Sequence, residues 1–361
     1  MIYGVYVVVL FLVAFLYVFV CVDGNKEGIL AQTKRFLWVT CPRAITDFIS
    51  KVCGDRLVYL IKRMTHYVCN EPNPIVQVLY FICAGGGFYV YVTEGFSQLP
   101  NHRVSKVHIY VSTPVMVLCY ASYFAACWVD AGALNQTSSS DDIIAAVKRF
   151  KYDGVMFEKQ VKCKTCKIDK PARSKHCSTC KSCVQKMDHH CVWINQCVGL
   201  YNYRFFLSFI FLHAVICSYG VWLGYHILMA TVDKERLFEA TFYDDSGEAV
   251  EVTSFIVFSY LQHTQYFFTA VIILCFVVSI MLWLFLGYHL HIVRQGWTTN
   301  ESNKHSYLWH HLKNSEKIFT KWEEIKLVNE AAVPPEDIIS QYRLDASMKL
   351  SMVQGMLKRI K

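Results

Sequence analysis

Residues 163–204 read CKTCKIDKPARSKHCSTCKSCVQKMDHHCVWINQCVGLYNYR, and Cys163 to Cys197 holds seven cysteines and three histidines within 35 residues. Cys163-x2-Cys166 is followed by His176-Cys177-x2-Cys180-x2-Cys183, then Asp188-His189-His190-Cys191, then Cys197. One C-x2-C pair is a weak sign, but three interlocked with histidines have the spacing of structural zinc sites. Metal-type spacing also points to a reducing, cytosolic face, since the sixteen cysteines of a small secreted chain would suggest disulfides instead. A closed structural zinc takes four ligands, so two ions use eight of the ten candidates and leave two over. Adjacent His189 and His190 are not expected to reach one ion in the same way, and Cys191 follows at once. A histidine anchored to metal would hold its neighbours rigidly while leaving them free to react. Thiol, imidazole and the Asp188 carboxylate are the parts of an activated nucleophile, which a thiol that is mostly protonated at neutral pH needs.

Outward from this block the chain turns apolar. It is 361 residues long, 54% hydrophobic and 15% aromatic, with a mean hydropathy of +0.28, which favours a membrane class. The net charge of +8 is spread over loops between apolar runs, not gathered on one basic domain, so it reads as a topology signal and not a nucleic-acid footprint. Five stretches reach the roughly 20 residues that a spanning helix needs, at 1–22, 75–92, 107–129, 205–230 and 266–293. The first is read as a retained helix, because no Lys or Arg precedes it and no small-residue cleavage site ends it. Gly85-Gly86-Gly87 in the second is assigned a close-packing role.

Lys26, Lys34, Arg35, Arg43, Lys51, Arg56, Lys62 and Arg63 lie between the first two stretches, against only Arg103 and Lys106 in the next loop. Lys234 and Arg236 are outnumbered by acids between the last two stretches, while the segment after the third and the tail are rich in Lys and Arg. The positive-inside rule then puts the N-terminus outside or in the lumen and the first loop, the cysteine-rich loop and the C-terminus in the cytosol. The expected fold is an α-helical polytopic membrane protein of about five spans, with a small two-zinc domain in the cytosolic loop between spans three and four. Its segments are 1–129 (three spans and a basic loop), 130–204 (the cysteine-rich domain), 205–293 (two spans and an acidic luminal loop) and 294–361 (a cytosolic tail). Within 130–204, residues 135–140 read as a linker and 141–150 as a short amphipathic helix with Asp141 as its N-cap. The tail is expected to hold a helical piece at 316–328. Its final Lys358-Arg359-Ile360-Lys361 resembles a dibasic endoplasmic-reticulum retrieval signal, which suggests the endoplasmic reticulum, with Golgi or plasma membrane as alternatives.

The run from Cys163 to Asn202, together with Phe205 and the flanking spans, resembles the cysteine-rich domain of the DHHC protein S-acyltransferases, or palmitoyltransferases. YDGVMF at 152–157 and YDD at 243–245 are most similar to the fourth mammalian branch of that family. The resemblance implies one zinc on Cys163, Cys166, His176 and Cys183 and another on Cys177, Cys180, His190 and Cys197, leaving His189 and Cys191. It implies Cys191 as the acylated nucleophile, His189 as its base and Asp188 as the residue that orients His189. Thr298-Thr299-Asn300-Glu301 resembles the family's TTxE motif, whose threonine contacts the catalytic aspartate, although a helix N-cap at Thr299 would leave the same trace. Lys170, Arg173 and Lys175 match basic positions in the family and are candidates for the phosphates of acyl-CoA; solvated surface charge or anionic headgroup binding is the alternative. Asp130-Ala131-Gly132 departs from the family's Asp-Pro-Gly, and the extra N-terminal span departs from its usual four.

The resemblance implies a two-step transfer of a long acyl group, expected to be palmitoyl, from acyl-CoA to Cys191 and then to cysteines of membrane-apposed proteins. A sixteen-carbon chain carries fourteen methylenes whose burial is worth at most about 11 kcal/mol, so its binding is expected inside the helical bundle. A zinc module of ubiquitin-ligase type would not leave a His and a Cys over beside an aspartate, a non-catalytic scaffold would tolerate loss of Cys191, and a thiol-disulfide oxidoreductase would need a C-x2-C pair not taken by metal.

Overall fold

The computed structural model describes residues 40–152, 156–243 and 247–306, with isolated positions at 29, 32, 33 and 36. The expected first span, the 316–328 helix and the terminal basic residues lie outside the described residues. Two amphipathic helices come first, α1 (Cys41–Cys53) and α2 (Asp55–Asn70), separated by Gly54 at φ 83°, a left-handed conformation that ends α1. Four helices long and apolar enough to cross a membrane follow: Ile75–Gln98, Val107–Trp128, Tyr203–Lys234 and Tyr266–Arg294. The first comprises α3 (Ile75–Val90), a π turn at Tyr91–Gly95 and a 3-10 turn at Phe96–Gln98, and so runs beyond its expected end. The others are α4 (Val107–Trp128), α6 (Tyr203–Lys234) and α8 (Tyr266–Arg294), with a short α7 (Ser254–Thr264) before the last. Phe267, Leu274 and Leu284 of α8 are all more than half exposed, as expected of helices that are apolar all round and face lipid.

The chain forms two compact units. One contains residues up to Cys127, the turn Val192–Asn195 and Phe205–Gly287. Its core gathers Tyr91, Phe96, Leu223, Ile227, Leu261 and Phe268. The tightest helix approach is not at Gly85–Gly87. A Cβ on Gly86 would meet nothing, and one on Gly85 or Gly87 would make only ordinary or slightly tight contacts. A Cβ on Gly224 would lie 2.5 Å from Ile272 and 2.7 Å from the Tyr91 hydroxyl. The close-packing role therefore belongs to Gly224.

The other unit contains Trp128–Cys191, Gln196–Arg204 and the residues from Tyr288 onward. β1 (Ala133–Leu134), β3 (Ser182–Val184) and β2 (Lys175–Cys177) form an antiparallel sheet in that spatial order, and β4 (His189–Cys191) pairs with β5 (Gln196–Val198). Residues 135–140 are not a loose linker: Asn135 and Ser138 tie them into a side-chain-bonded turn. The helix that follows is α5 (Ser140–Arg149), and its N-cap is Ser139, not Asp141. Ser139 has the extended backbone a cap requires and accepts the Asp142 N–H at 3.1 Å, while Asp141 lies in the first turn, where the helix dipole favours it.

Gly224→Ala should lower the stability of the detergent-solubilised protein by about 1–3 kcal/mol through overpacking, whereas Gly86→Ala should leave it unchanged. Thermal unfolding of the two variants checks this.

Candidate active site

The two β-hairpins of the second unit converge their ligands in the same way. His176 lies directly opposite Cys183 in the β2–β3 pair, and His190 directly opposite Cys197 in the β4–β5 pair. Opposed residues project to one face with their Cβ atoms about 5 Å apart, so each histidine and its cysteine meet. A C-x2-C segment completes each set, and the donor atoms of Cys163, Cys166, His176 and Cys183, and of Cys177, Cys180, His190 and Cys197, all lie within 4.8 Å of one another. His190 Nδ1 stands 3.7, 3.3 and 3.7 Å from the sulfurs of Cys177, Cys180 and Cys197, and His176 Nδ1 3.3 and 3.9 Å from those of Cys166 and Cys183. Tetrahedral zinc with its usual bond lengths requires edges of about 3.6 Å between sulfur and nitrogen. Both sets fit the ion, with Nδ1 as the donor atom.

Side chains alternate along a strand, so His189 and Cys191 share the face of β4 opposite to His190. His189 Nδ1 is 2.7 Å from Asp188 Oδ2, and Cys191 hydrogen-bonds to the same imidazole. Burial opposes charge on His189, but the bonds to Asp188 and Cys191 outweigh it and push its pKa up to about 9. Asp188 is 2% exposed, and its other oxygen, Oδ1, accepts the Thr299 N–H at 2.8 Å. Burial acts to raise its pKa, yet the hydrogen bonds from His189 and the Thr299 backbone hold the carboxyl below the usual carboxylate range. The ring of His289, near the end of α8, lies 6.1 Å from that of His189, and its Nδ1 pairs with the Tyr203 hydroxyl at 2.9 Å.

Thr298 and Glu301 form a capping box on the helix that begins at residue 299. The Thr298 N–H donates to Glu301 Oε2, and the Glu301 N–H donates to Thr298 Oγ1. Glu301, 2% exposed, is neutralised by Arg173, whose guanidinium donates to both carboxylate oxygens and to the Gly296 carbonyl. Arg173 is thus engaged by the TTxE segment, while Lys175 is exposed on β2 and Lys170 lines a hollow of about 230 Å³ with Tyr152, Phe157 and Lys304. Asn202 is fully buried, accepting the Gly199 N–H and donating to the carbonyl of the ligand Cys197, so it fixes the entry into α6. In the departing Asp130-Ala131-Gly132, Asp130 accepts the Ala133 N–H, and Gly132 adopts φ 90°. Those two residues make the turn, and Ala131 between them is buried in the core of the module.

Residues 156–306 match the profile of the DHHC palmitoyltransferases. The chain is 30% identical over 317 residues to palmitoyltransferase swf1 of Schizosaccharomyces pombe, covering 86% of this chain and 82% of that one. The chain belongs to the DHHC palmitoyltransferase family. It is also similar to palmitoyltransferase ZDHHC4 of Bos taurus, at 28% identity over 267 residues, or 73% of this chain and 75% of that one. The ZDHHC4 of Mus musculus is 26% identical over 263 residues, with shares of 72% and 75%. Like its family, the chain is an integral membrane protein and a protein S-acyltransferase.

Two features of this DHHC domain escaped the sequence reading. His289 lies in an apolar span, and an ionisable residue there is itself the signal. The other is a tandem repeat. C-x2-C-x9-H-x6-C runs from Cys163 to Cys183 and again from Cys177 to Cys197, a displacement of fourteen residues (177 − 163). Cys191 stands a further fourteen on (191 − 177) and opens a third copy whose second cysteine is Ile194. The backbone keeps the repeat: Lys167, Lys181 and Asn195, each four residues after the opening cysteine, have φ of 57°, 52° and 52°. The third turn keeps the backbone, but the later positions of the pattern are Ile194, Arg204 and Phe211, so the sequence offers the Cys191 thiol no third ligand set.

Thr299 is the first residue of its helix, a position where proline is accommodated and removes only an N–H. Thr299→Pro should therefore keep two zincs per chain while lowering acyl-enzyme formation about tenfold, the effect of one lost charge-assisted hydrogen bond of roughly 1.5 kcal/mol on Asp188. Thr299→Ala, which retains the N–H, should stay near the wild-type rate. Zinc analysis beside single-turnover kinetics separates the two.

Proposed function

We propose that Cys191 carries the acyl group, that His189 is its base, and that Asp188 orients His189. The observation that supports this best is the sharing of β4: His189 and Cys191 on one face with Asp188 doubly bonded beside them, His190 on the other face among metal-type ligands. His189 takes the Cys191 proton, and the thiolate attacks the thioester carbonyl carbon of a long-chain acyl-CoA. The new carbon–sulfur bond forms, the bond to the CoA sulfur breaks, and the proton passes from His189 to the leaving thiolate. A cysteine of a membrane or membrane-apposed protein then repeats the exchange on the acyl-enzyme. Thioester replaces thioester, so no ATP is consumed.

Two zinc ions, each with four protein ligands, hold the hairpins and leave no open position for water. The acyl chain takes the cavity of about 320 Å³ among the spans, lined by residues such as Tyr80, Met116, Trp193, Leu223 and Leu282. Trp193 is two residues beyond Cys191 along the chain, and its carbonyl accepts the Tyr123 hydroxyl at 3.0 Å. Lys170, Arg173 and Lys175 are the candidates for the CoA phosphates, of which Lys175 is exposed and Arg173 is also held by Glu301. The chain crosses the membrane five times with a cytosolic active site, in the endoplasmic reticulum, Golgi or plasma membrane.

Cys191→Ser should keep two zincs and form no acyl-enzyme, and Asp188→Asn should keep two zincs while slowing acylation by up to about 10⁴-fold, because an amide there would favour the wrong His189 tautomer. Cys183→Ser and His190→Ala should each bring zinc below two per chain, because structural zinc supplies folding free energy. Metal analysis and hydroxylamine-sensitive label on each purified variant decide; an acyl-enzyme on Cys191→Ser would end the proposal. A tag at residue 1 should resist protease added from the cytosolic side, and one after Lys361 should be cleaved.

A further inference from the structure

We propose that the α1–α2 hairpin, residues 41–70, is a docking surface for anionic phospholipid, lying along the cytosolic leaflet with its apolar stripes among the acyl chains; its sidedness rests on the topology given above. Ile45, Phe48 and Val52 recur at the spacing of one face of α1, and Leu57, Ile61 and Met64 do so on α2. All six are exposed, Phe48, Val52 and Met64 by 67%, 63% and 56%, although α1 and α2 pack against each other. Such stripes left open on both helices call for an apolar occupant.

Charge and tether together identify it. The hairpin carries Arg43, Lys51, Arg56, Lys62 and Arg63 against Asp47 and Asp55, a surplus of three positive charges. On α2 the wheel puts Lys62, Arg63 and His66 away from the stripe, with Arg56 nearest its border, where a long basic side chain reaches headgroups while its stem lies along apolar surface. Only residues 71–74 separate α2 from α3, the first described span, so the end of α2 stays within about 18 Å of it even with those residues fully extended. Asn73, 5% exposed, shortens that tether further. Its Nδ2 donates to the carbonyls of Tyr67 and Glu71, each at 2.8 Å, and its Oδ1 accepts the Ile75 N–H at 3.1 Å. An amphipathic, basic hairpin held this close to the start of a span has the membrane surface as its nearest apolar phase.

The test uses the purified full chain, one copy per lipid nanodisc, in phosphatidylcholine alone or with phosphatidylserine. Hydrogen–deuterium exchange is read on peptides from 41–70. Phosphatidylserine should slow exchange there about fivefold or more, the effect of a single basic residue near an anionic surface. Replacing Arg43, Lys51, Arg56, Lys62 and Arg63 by Gln should remove the difference while leaving two zincs and acyl-enzyme formation intact. Phe48→Glu with Met64→Glu should speed exchange in both lipids. Equal exchange of the wild-type hairpin in the two lipids would overturn the proposal, as would protection seen only with two copies per disc, which would identify a second chain as the occupant. Exchange does not depend on acyl transfer, so failure of the catalytic reading would leave this result interpretable.

Discussion

Everything in the cysteine-rich module depends on one constraint: side chains on a β-strand alternate, and one face of β4 belongs to a set of four metal-type ligands. His190 faces Cys197 and joins Cys177 and Cys180, so a metal at that set would clamp the hairpin through its two strands. His189 and Cys191 are then carried to the opposite face with a fixed separation, two residues along an extended backbone. A one-residue slip would exchange the roles of the adjacent histidines, sending His189 to the metal and His190 to the thiol. The cross-strand register is therefore the device that keeps chemistry and structure apart on neighbouring residues.

Asp188 is the second anchor. A buried carboxylate is costly unless its lone pairs are used, and here both oxygens are engaged, one by His189 and one by the Thr299 backbone. That Thr299 N–H exists as a free donor because the first N–H groups of a helix have no partner within it. The capping box of Thr298 and Glu301, itself neutralised by Arg173, sets where that helix begins. Arg173 and Glu301 are thus linked through Thr298 and its peptide neighbour Thr299 to Asp188 and His189, from a residue within the cysteine-rich module to the proposed base.

Much of this was legible because metal binding and membrane crossing leave strong, local sequence signals. The ligand count pointed to two sets of four, the family resemblance implied their members, and apolar length marked four of the spans to within a few residues at most ends. The exceptions are informative. The Ile75 helix runs on to Gln98 through a π turn stabilised by long-range packing, which no local apolar count contains. The cap of α5 is Ser139 because the backbone, not the strength of the acid at 141, decides which residue is extended. Gly224 is the tight helix contact because closeness is a property of two helices, and a glycine run within one of them cannot report it. Arg173 reads as a phosphate ligand among basic neighbours, and only the fold brings Glu301 to it from far along the chain. The His289 ring beside His189 has the same long-range origin.

The central claim is that the one thiol of β4 left outside both metal sets is the one that carries the acyl group. Peptide mapping by mass spectrometry of the zinc-loaded wild-type protein, incubated with palmitoyl-CoA without an acceptor, tests it most directly. A hydroxylamine-labile palmitoyl adduct is expected on the peptide bearing Cys191, with both zincs retained in the intact protein. A labile adduct on any of the six metal-set cysteines, or acylation accompanied by loss of zinc, would contradict it.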